Sequence, residues 1–366
     1  MILYITRKFP PSVGGMQRFN FKLVTNLSKL TEIYLIKWGG GQWFHPLFLM
    51  WAFARSLYAG LTRKISCIYV SDGLLSPLGL VLKWILRKPV IANIHGRDIA
   101  FNLSIYQAIV PWCLRRMDKV ICVSTYLKGE CRKRGVLEER LCVIPNGVDI
   151  EDFDILLSAG HRTKLEEMMG TSIGQRKIIV TVGRLVAKKG VDFFIKNILP
   201  RLQMLFPEFI YLIVGDGPLK EKIDALIKEK HLEKTVCRIG VVSMAGGMLA
   251  AIYKQAHVFA MPNVRVEGDM EGFGIVALEA GAAGLPVVAF KVDGIIDAVQ
   301  DKESGSLIEE NDYEAFAQTL AELLKNEDTR EKTGEKAKKF VEANYSWQEI
   351  AKRYLKQFQS VFKPAS

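Results

Sequence analysis

Along the chain, short β-rich runs alternate with longer stretches whose apolar residues recur at helical spacing. In the first half the runs are residues 2–6, 32–36, 67–70, 90–94, 119–123 and 141–144. In the second half they are 177–182, 211–214, 236–239, 258–261, 287–289 and 305–308. The runs are β-rich, and their alternation with amphipathic stretches signals parallel sheets. Two sets of six strands with helices between them predict an α/β protein with two doubly wound sheets. The polar stretch 158–175 separates the sets and reads as the linker, which gives domains 1–160 and 161–346 with a terminal helix from 347.

Ligands of open α/β sheets sit beyond the carboxyl ends of the strands, so the segments after each run are the places to look. After the first run, Gly14 and Gly15 open a helix and offer backbone N–H groups to an anion, or simply make a turn. After the fourth come His95, Gly96, Arg97 and Asp98, and after the sixth Pro145, Asn146, Gly147 and Asp149. After the seventh, Gly183-Arg184-Leu185 leads to Lys188-Lys189-Gly190: a planar guanidinium and a mobile ammonium suited to phosphate oxygens. After the eighth, Gly215-Asp216-Gly217-Pro218 is a tight turn carrying a carboxylate.

The most informative segment is Glu271-Gly272-Phe273-Gly274-Ile275-Val276-Ala277-Leu278-Glu279. The glycines place Glu271 in a loop and leave backbone N–H groups at the positive end of a following helix. That helix is apolar and therefore buried, so Glu279 within it needs a partner, and a ribose diol is one. The preceding 264–270 loop either shapes a pocket or is surface. Asp152-Phe153-Asp154 could hold a metal but reads better as a surface turn.

Composition excludes disorder: 49% of residues are hydrophobic and 24% charged. Net charge is +11 and unevenly placed. Residues 1–160 hold 21 Lys and Arg against 11 Asp and Glu, 161–346 hold 25 against 27, and 347–366 hold 4 against 1. The basic excess belongs to the two ends of the chain and points to anionic partners. The six cysteines form no metal-knuckle or disulfide pattern and read as buried thiols of a reducing compartment. No leader is evident, and the apolar stretch 43–54 is too short to span a bilayer. The protein is expected in the cytoplasm, peripheral at the inner face of the cell membrane. The glycine run Gly39-Gly40-Gly41 joins a cluster of large apolar and aromatic residues up to Trp51, followed by cations from Arg63 to Arg134. This segment either docks on anionic lipid or is a core helix under the sheet.

The glycine pair, His95-Gly96, Pro145-Asn146-Gly147-Val148-Asp149, Gly183-Arg184-Leu185 with Lys189-Gly190, Gly215-Asp216-Gly217-Pro218 and the two glutamates at 271 and 279 resemble, in order, the motifs of the family 4 retaining glycosyltransferases. Asn344-Tyr345-Ser346-Trp347 with its terminal helix is similar too. The resemblance spans residues 6 to about 290. It implies the GT-B fold, with two Rossmann-like domains facing each other across a cleft, the acceptor mainly on the first and a nucleotide sugar mainly on the second. It implies that Arg184 and Lys189 bind the diphosphate in place of a metal, with no cofactor, and that Glu279 holds the ribose. Glu271, Gly272, Phe273 and Gly274 would meet the donor sugar, His95 the reacting face, and Gly14 and Gly15 the phosphate. Asp216 would bind the donor as well, and Asp98, Asn146 and Ile275 are further candidates. Retention without a clear nucleophile implies front-face attack. The acceptor would be a saccharide or lipid-linked molecule of cell-surface polysaccharide, lipopolysaccharide or glycolipid synthesis.

Three other readings remain. A nucleotide-sugar epimerase of the same fold acts on the donor alone. A basic anion- or membrane-binding protein without activity explains the charge but not Glu271 and Glu279, and no nucleic-acid motif is present. A dehydrogenase lacks its Gly-x-Gly-x-x-Gly turn.

Overall fold

The computed structural model of the chain describes all residues except Val13, Gln42, Trp43, Asn102 and 363–366. Parts of the glycine-pair loop, of the aromatic 39–51 segment and of the basic tail therefore lie outside the described residues.

Each of the twelve apolar runs is a strand. β1 (Ile2–Thr6), β2 (Ile33–Lys37), β3 (Cys67–Val70), β4 (Val90–Ile94), β5 (Lys119–Cys122) and β6 (Leu141–Val143) form one parallel sheet in the order β2-β1-β3-β4-β5-β6. β7 (Lys177–Val182), β8 (Phe209–Val214), β9 (Val236–Arg238), β10 (Val258–Met261), β11 (Val287–Phe290) and β12 (Gly305–Ile308) form the other, ordered β12-β11-β10-β7-β8-β9. The strands β1, β4 and β8 are buried throughout, which is why they are apolar apart from the buried Thr6 and Asn93. In the first sheet the strand order reverses between β1 and β3, and in the second between β7 and β10. These are the two switch points at which open sheets bind ligands.

The helix Gly15–Leu27, which joins β1 to β2, and the terminal helix Trp347–Phe362 pack together on one face of the first sheet. Their core holds Phe19, Leu23, Tyr4, Tyr69, Tyr354 and Phe358. The helices His45–Thr62, Ser76–Leu86 and Ser104–Leu114 lie side by side on the other face. The second sheet buries Phe194 stacked on Tyr211 at 4.2 Å, with Phe316 against Phe290.

The chain forms two compact units, and their boundaries differ from the expected 160/161. The first comprises Met1–Gly147, Gly268–Phe273 and the terminal helix; the second comprises Val148–Glu267 and Gly274–Ser346. The second unit begins at Val148, whose N–H donates to the Tyr345 carbonyl at 2.8 Å, and buries Phe153 against Tyr253. The polar stretch taken as a linker contains the helix Ala159–Met169. Ser158 and His161 cap its start reciprocally and Gly170, at φ 67°, ends it. Only Leu165 of that helix is buried, so its sequence carries almost no apolar periodicity.

Candidate functional site

In the first unit three loops meet at the switch point. Arg7, just past β1, places Nε 3.0–3.1 Å from both carboxylate oxygens of Asp72, just past β3. Asp72 is fully buried, and its Oδ1 also accepts from the Leu74 N–H at 3.0 Å. Asp98 braces the turn after β4. Its carboxylate accepts from the backbone N–H groups of His95 at 2.9 Å, Gly96 at 2.8 Å and Gly73 at 3.2 Å. Asp98 thus shapes the loop, while its neighbour Arg97 is exposed.

The His95 ring faces Phe19 edge-on at 4.6 Å. Its Nε2 lies 2.8 Å from Asn93 Nδ2 and 3.1 Å from the Ser71 carbonyl. Asn93 Oδ1 in turn accepts from the buried Tyr354 hydroxyl at 3.1 Å. Burial holds the imidazole below its ordinary pKa against the opposing pull of Asp98 and Asp72, so the ring is neutral at pH 7.

The segment Gly268–Phe273 packs with this loop cluster. A Cβ on Gly272 would lie 1.9 Å from the His95 carbonyl oxygen, and one on Gly96 would lie 3.2 Å from the Gly272 Cα. Glu271, half-buried, is therefore carried beside His95 and not on the helix that bears Glu279. At the other edge of the cluster, Gly15 starts its helix with open space where a side chain would stand.

In the second unit the loops after β7, β8 and β10 are pinned together by backbone contact. A Cβ on Gly215 would stand 1.9 Å from the Gly183 carbonyl, and one on Gly190 would stand 1.8 Å from the Pro262 carbonyl. The Val264 N–H donates to the Lys188 carbonyl at 3.0 Å, and the Leu185 N–H to the Asp216 carbonyl at 2.9 Å. Asp216 is itself exposed and accepts from the Gly217 N–H at 2.8 Å, bracing its turn. Arg184 is exposed at the carboxyl end of β7, and its guanidinium has no ion pair among the described residues. Lys189 is half-buried and folds back over Gly183.

Gly274, at φ 88°, caps the helix Ile275–Ala282. Phe273 before it is buried and Ile275 half-buried. Glu279 is buried and its Oε2 accepts from the Tyr253 hydroxyl at 3.0 Å. A side chain of the protein thus supplies one of the partners its burial requires. Asn146 carries a buried Oδ1 with no hydrogen-bond partner among the described residues. The 264–270 loop is split. Arg265 reaches Glu310 at 3.4 Å and Asp293 at 3.8 Å in the second unit, while Gly268 onward joins the first. Asp152 and Asp154 lie on a 3-10 turn around the buried Phe153. The described residues contain no group of three His, Cys, Asp or Glu able to hold a metal. A cavity of about 250 Å³ lined by Arg162, Arg176, Lys177 and His257 lies at the amino end of β7, away from these loops.

Arg7, Asp72, Asn93, Tyr253 and Tyr354 were not singled out from sequence. Arg7 and Asp72 follow strands directly, and the strand-end rule could have flagged them. The others are distant in the chain from what they touch.

The model of the glycosyl transferases group 1 matches residues 166–340, and that of glycosyltransferase family 4 matches 13–152. An uncharacterized glycosyltransferase of Methanocaldococcus jannaschii is 30% identical over 322 residues, 84% of this chain and 80% of its own. The chain belongs to the family 4 glycosyltransferases. This glycosyltransferase is also 28% identical, over 94% of its length and 95% of the relative's, to the GDP-mannose-dependent alpha-(1-6)-phosphatidylinositol monomannoside mannosyltransferase of Mycolicibacterium smegmatis. Among solved structures, Anabaena HepE in complex with UDP superposes with a TM-score of 0.77 at 18% identity, covering 98% of this chain and 99% of that one. Sucrose-phosphate synthase from Thermosynechococcus elongatus gives 0.78 at 19%, covering 99% and 98%. The fold of this glycosyltransferase is GT-B.

Proposed function

We propose that this glycosyltransferase moves a sugar, with retention, from a UDP- or GDP-sugar to a saccharide or lipid-linked acceptor in cell-surface polysaccharide or glycolipid synthesis. The observation that carries the reading is the cation pair Arg184 and Lys189 on loops locked by glycine contacts at the carboxyl end of β7. Preorganised cations stabilise a departing diphosphate where its charge develops. They would do so here without a metal.

Glu279, oriented by Tyr253, would take the ribose hydroxyls. The backbone N–H groups at Gly272–Gly274, with Phe273 and Glu271, would meet the sugar, and Gly14 and Gly15 the phosphate. Asp216, Asp98 and Asn146 would act by shaping loops, and Ile275 by lining the donor site. His95, neutral at pH 7, would hydrogen-bond a sugar hydroxyl without adding charge beside the cationic sugar.

In the step itself, the bond from C1 of the sugar to the β-phosphate oxygen breaks with its electron pair going to the phosphate. The acceptor oxygen bonds C1 on the same face, and its proton passes to the leaving phosphate. The names of the relatives support the donor and acceptor classes: one is GDP-mannose-dependent with a phosphatidylinositol monomannoside acceptor, and one is a capsular polysaccharide glycosyltransferase of Staphylococcus aureus.

A thermal-shift screen of nucleoside diphosphates and nucleotide sugars tests the reading. UDP or GDP in large excess is expected to raise the melting point by several degrees through mass action. Nucleoside diphosphate should then be released from the matching sugar only when acceptor is added. No shift with any nucleotide, or release equally fast without acceptor, would overturn it.

A further inference from the structure

The helices His45–Thr62, Ser76–Leu86 and Ser104–Leu114 are apolar on both sides. The first packs Phe48, Ala52 and Ala59 inward, yet turns Leu47, Met50, Trp51, Tyr58 and Leu61 to solvent, with Met50 71% and Leu61 85% exposed. Arg55 is its one charged residue. The second exposes Val81, Trp84 and Ile85; the third exposes Ile105, Ile109 and Trp112. In each, the outward residues recur at helical spacing, so they form stripes and not scattered points.

The stripes adjoin one another. A Cβ on Gly60 would lie 2.5 Å from the Leu86 side chain, joining the first two helices. The Trp84 and Trp112 rings meet edge-on at 6.4 Å, joining the second to the third. Scattered exposed hydrophobics need no explanation, but a contiguous apolar face of this breadth marks an interaction surface.

Charge selects the occupant. Residues 33–117 carry ten Lys and Arg and only two acids, Asp72 and Asp98. Both acids are buried, and the next one along the chain, Asp118, is neutralised by Lys83 of the second helix at 2.9 Å. Three cation pairs follow the carboxyl ends of the helices: Arg63-Lys64, Arg87-Lys88 and Arg115-Arg116. Each helix returns from a parallel strand, so these ends share one edge of the face. A second copy of this face would add cations with no unpaired acid among residues 33–118 to meet them, and a nucleic acid would leave the tryptophans unmatched. An apolar face edged with cations matches the interface of an anionic bilayer, with acyl chains at the centre and lipid phosphates along the rim.

We propose that this three-helix face docks the first unit onto an anionic phospholipid membrane, lying in the plane of the interface. No helix of the described residues is long and apolar enough to cross one. The carboxyl ends of the strands, where His95 sits, occupy the edge of the face opposite the cation pairs. The proposal goes beyond the transfer reaction and stands apart from it, because docking needs neither donor nor acceptor.

The full chain is floated with vesicles of phosphatidylcholine alone and with about a third phosphatidylglycerol. It is expected to float with the anionic vesicles at low ionic strength and to be released by salt. Leu61→Glu, Trp84→Glu and Ile105→Glu together should lower partitioning at least about tenfold while leaving the melting point and nucleotide binding unchanged. If that variant fails to fold, Trp84→Ala with Ile105→Ala takes its place and should lose several-fold. Neutralising Arg87, Lys88, Arg115 and Arg116 to Gln should cost roughly a hundredfold or more on anionic vesicles only. Absence of flotation at low salt, or equal flotation of the Glu variant, would overturn the proposal. So would a wild-type dimer that the Glu variant converts to monomer without any vesicle binding, which would make the face a subunit interface.

Discussion

The alpha carbon of Gly272 is pressed so closely to the carbonyl of His95 that a Cβ there would stand 1.9 Å from its oxygen. No rotamer change relieves such a contact, because backbone meets backbone. Gly272→Ala must therefore displace either the His95-Gly96 loop or the Glu271–Gly274 segment. A shift of about 1 Å in a reacting geometry costs on the order of a hundredfold in rate. The variant is expected to lose about that much kcat and to melt within a few degrees of the parent. Gly129→Ala, in a helix with open space at its Cβ, should be neutral or slightly stabilising. Near-normal kcat in Gly272→Ala would mean that the contact has no part in catalysis.

Arg184 and Lys189 differ in what holds them: Arg184 reaches into solvent, while Lys189 lies back on Gly183. Each substitution to Ala should lower kcat/KM by on the order of 10²–10³, as removal of one preorganised charge stabiliser does elsewhere. The double variant should lose less than the product of the two. Affinity for free nucleoside diphosphate should fall in parallel, read by calorimetry. Turnover in a chelator should match that without it. Strong inhibition by chelator would assign the charge neutralisation to a metal.

Tyr354 lies on the terminal helix and reaches His95 through the Asn93 amide. Tyr354→Phe strips a buried amide oxygen of its donor, a loss of about 1–3 kcal/mol in stability. It also frees Asn93 to turn away from the imidazole. The expected signature is a several-fold drop in kcat with the donor KM unchanged, and a displaced acid limb in the pH–rate profile. A purely structural role would lower the melting point and leave both kinetic readouts in place.

His257 Nδ1 accepts from the Ile178 N–H at 3.0 Å at the start of β7. Burial, reinforced by Lys177 and Arg330, pushes the imidazole down to about 4 from its ordinary 6.5. The folded state thus binds fewer protons than the unfolded one below pH 6.5. The stability it confers is complete above that pH and drains away as pH falls towards about 4. With the half-buried ring partly screened by water, the loss between pH 6.5 and 5 should be about 1 kcal/mol. His257→Gln is expected to melt lower at pH 7 yet lose less on acidification. Parallel melting curves of the two proteins against pH would remove His257 as the cause.

The twelve strands were legible because each is a short, mostly apolar, β-rich run set between amphipathic stretches, as strands covered on both faces of a parallel sheet are. The helix starts after β1 and before Glu279 were equally plain, since glycines mark them. Arg184, Lys189 and Glu279 were singled out through the strand-end rule and the resemblance to a family, and their roles are proposals. The helix Ala159–Met169 buries only Leu165 and so reads in sequence as a polar linker, while the compact units divide at Val148. The outward stripes of the three helices were read as either core or docking surface, because apolar periodicity does not say which side is covered.

What the sequence by itself determined is therefore local: strand identity, helix caps, and the order of the motifs, each set by neighbours within a few residues. Tertiary structure alone decided that Gly272 touches His95, that Tyr253 holds Glu279 and that Tyr354 holds Asn93. The same holds for the tryptophans at 84 and 112 meeting on an uncovered face. Those pairings join residues far apart in the chain. They exist because crossovers of fixed hand bring strand ends and helix faces together, a relation that no window of sequence contains.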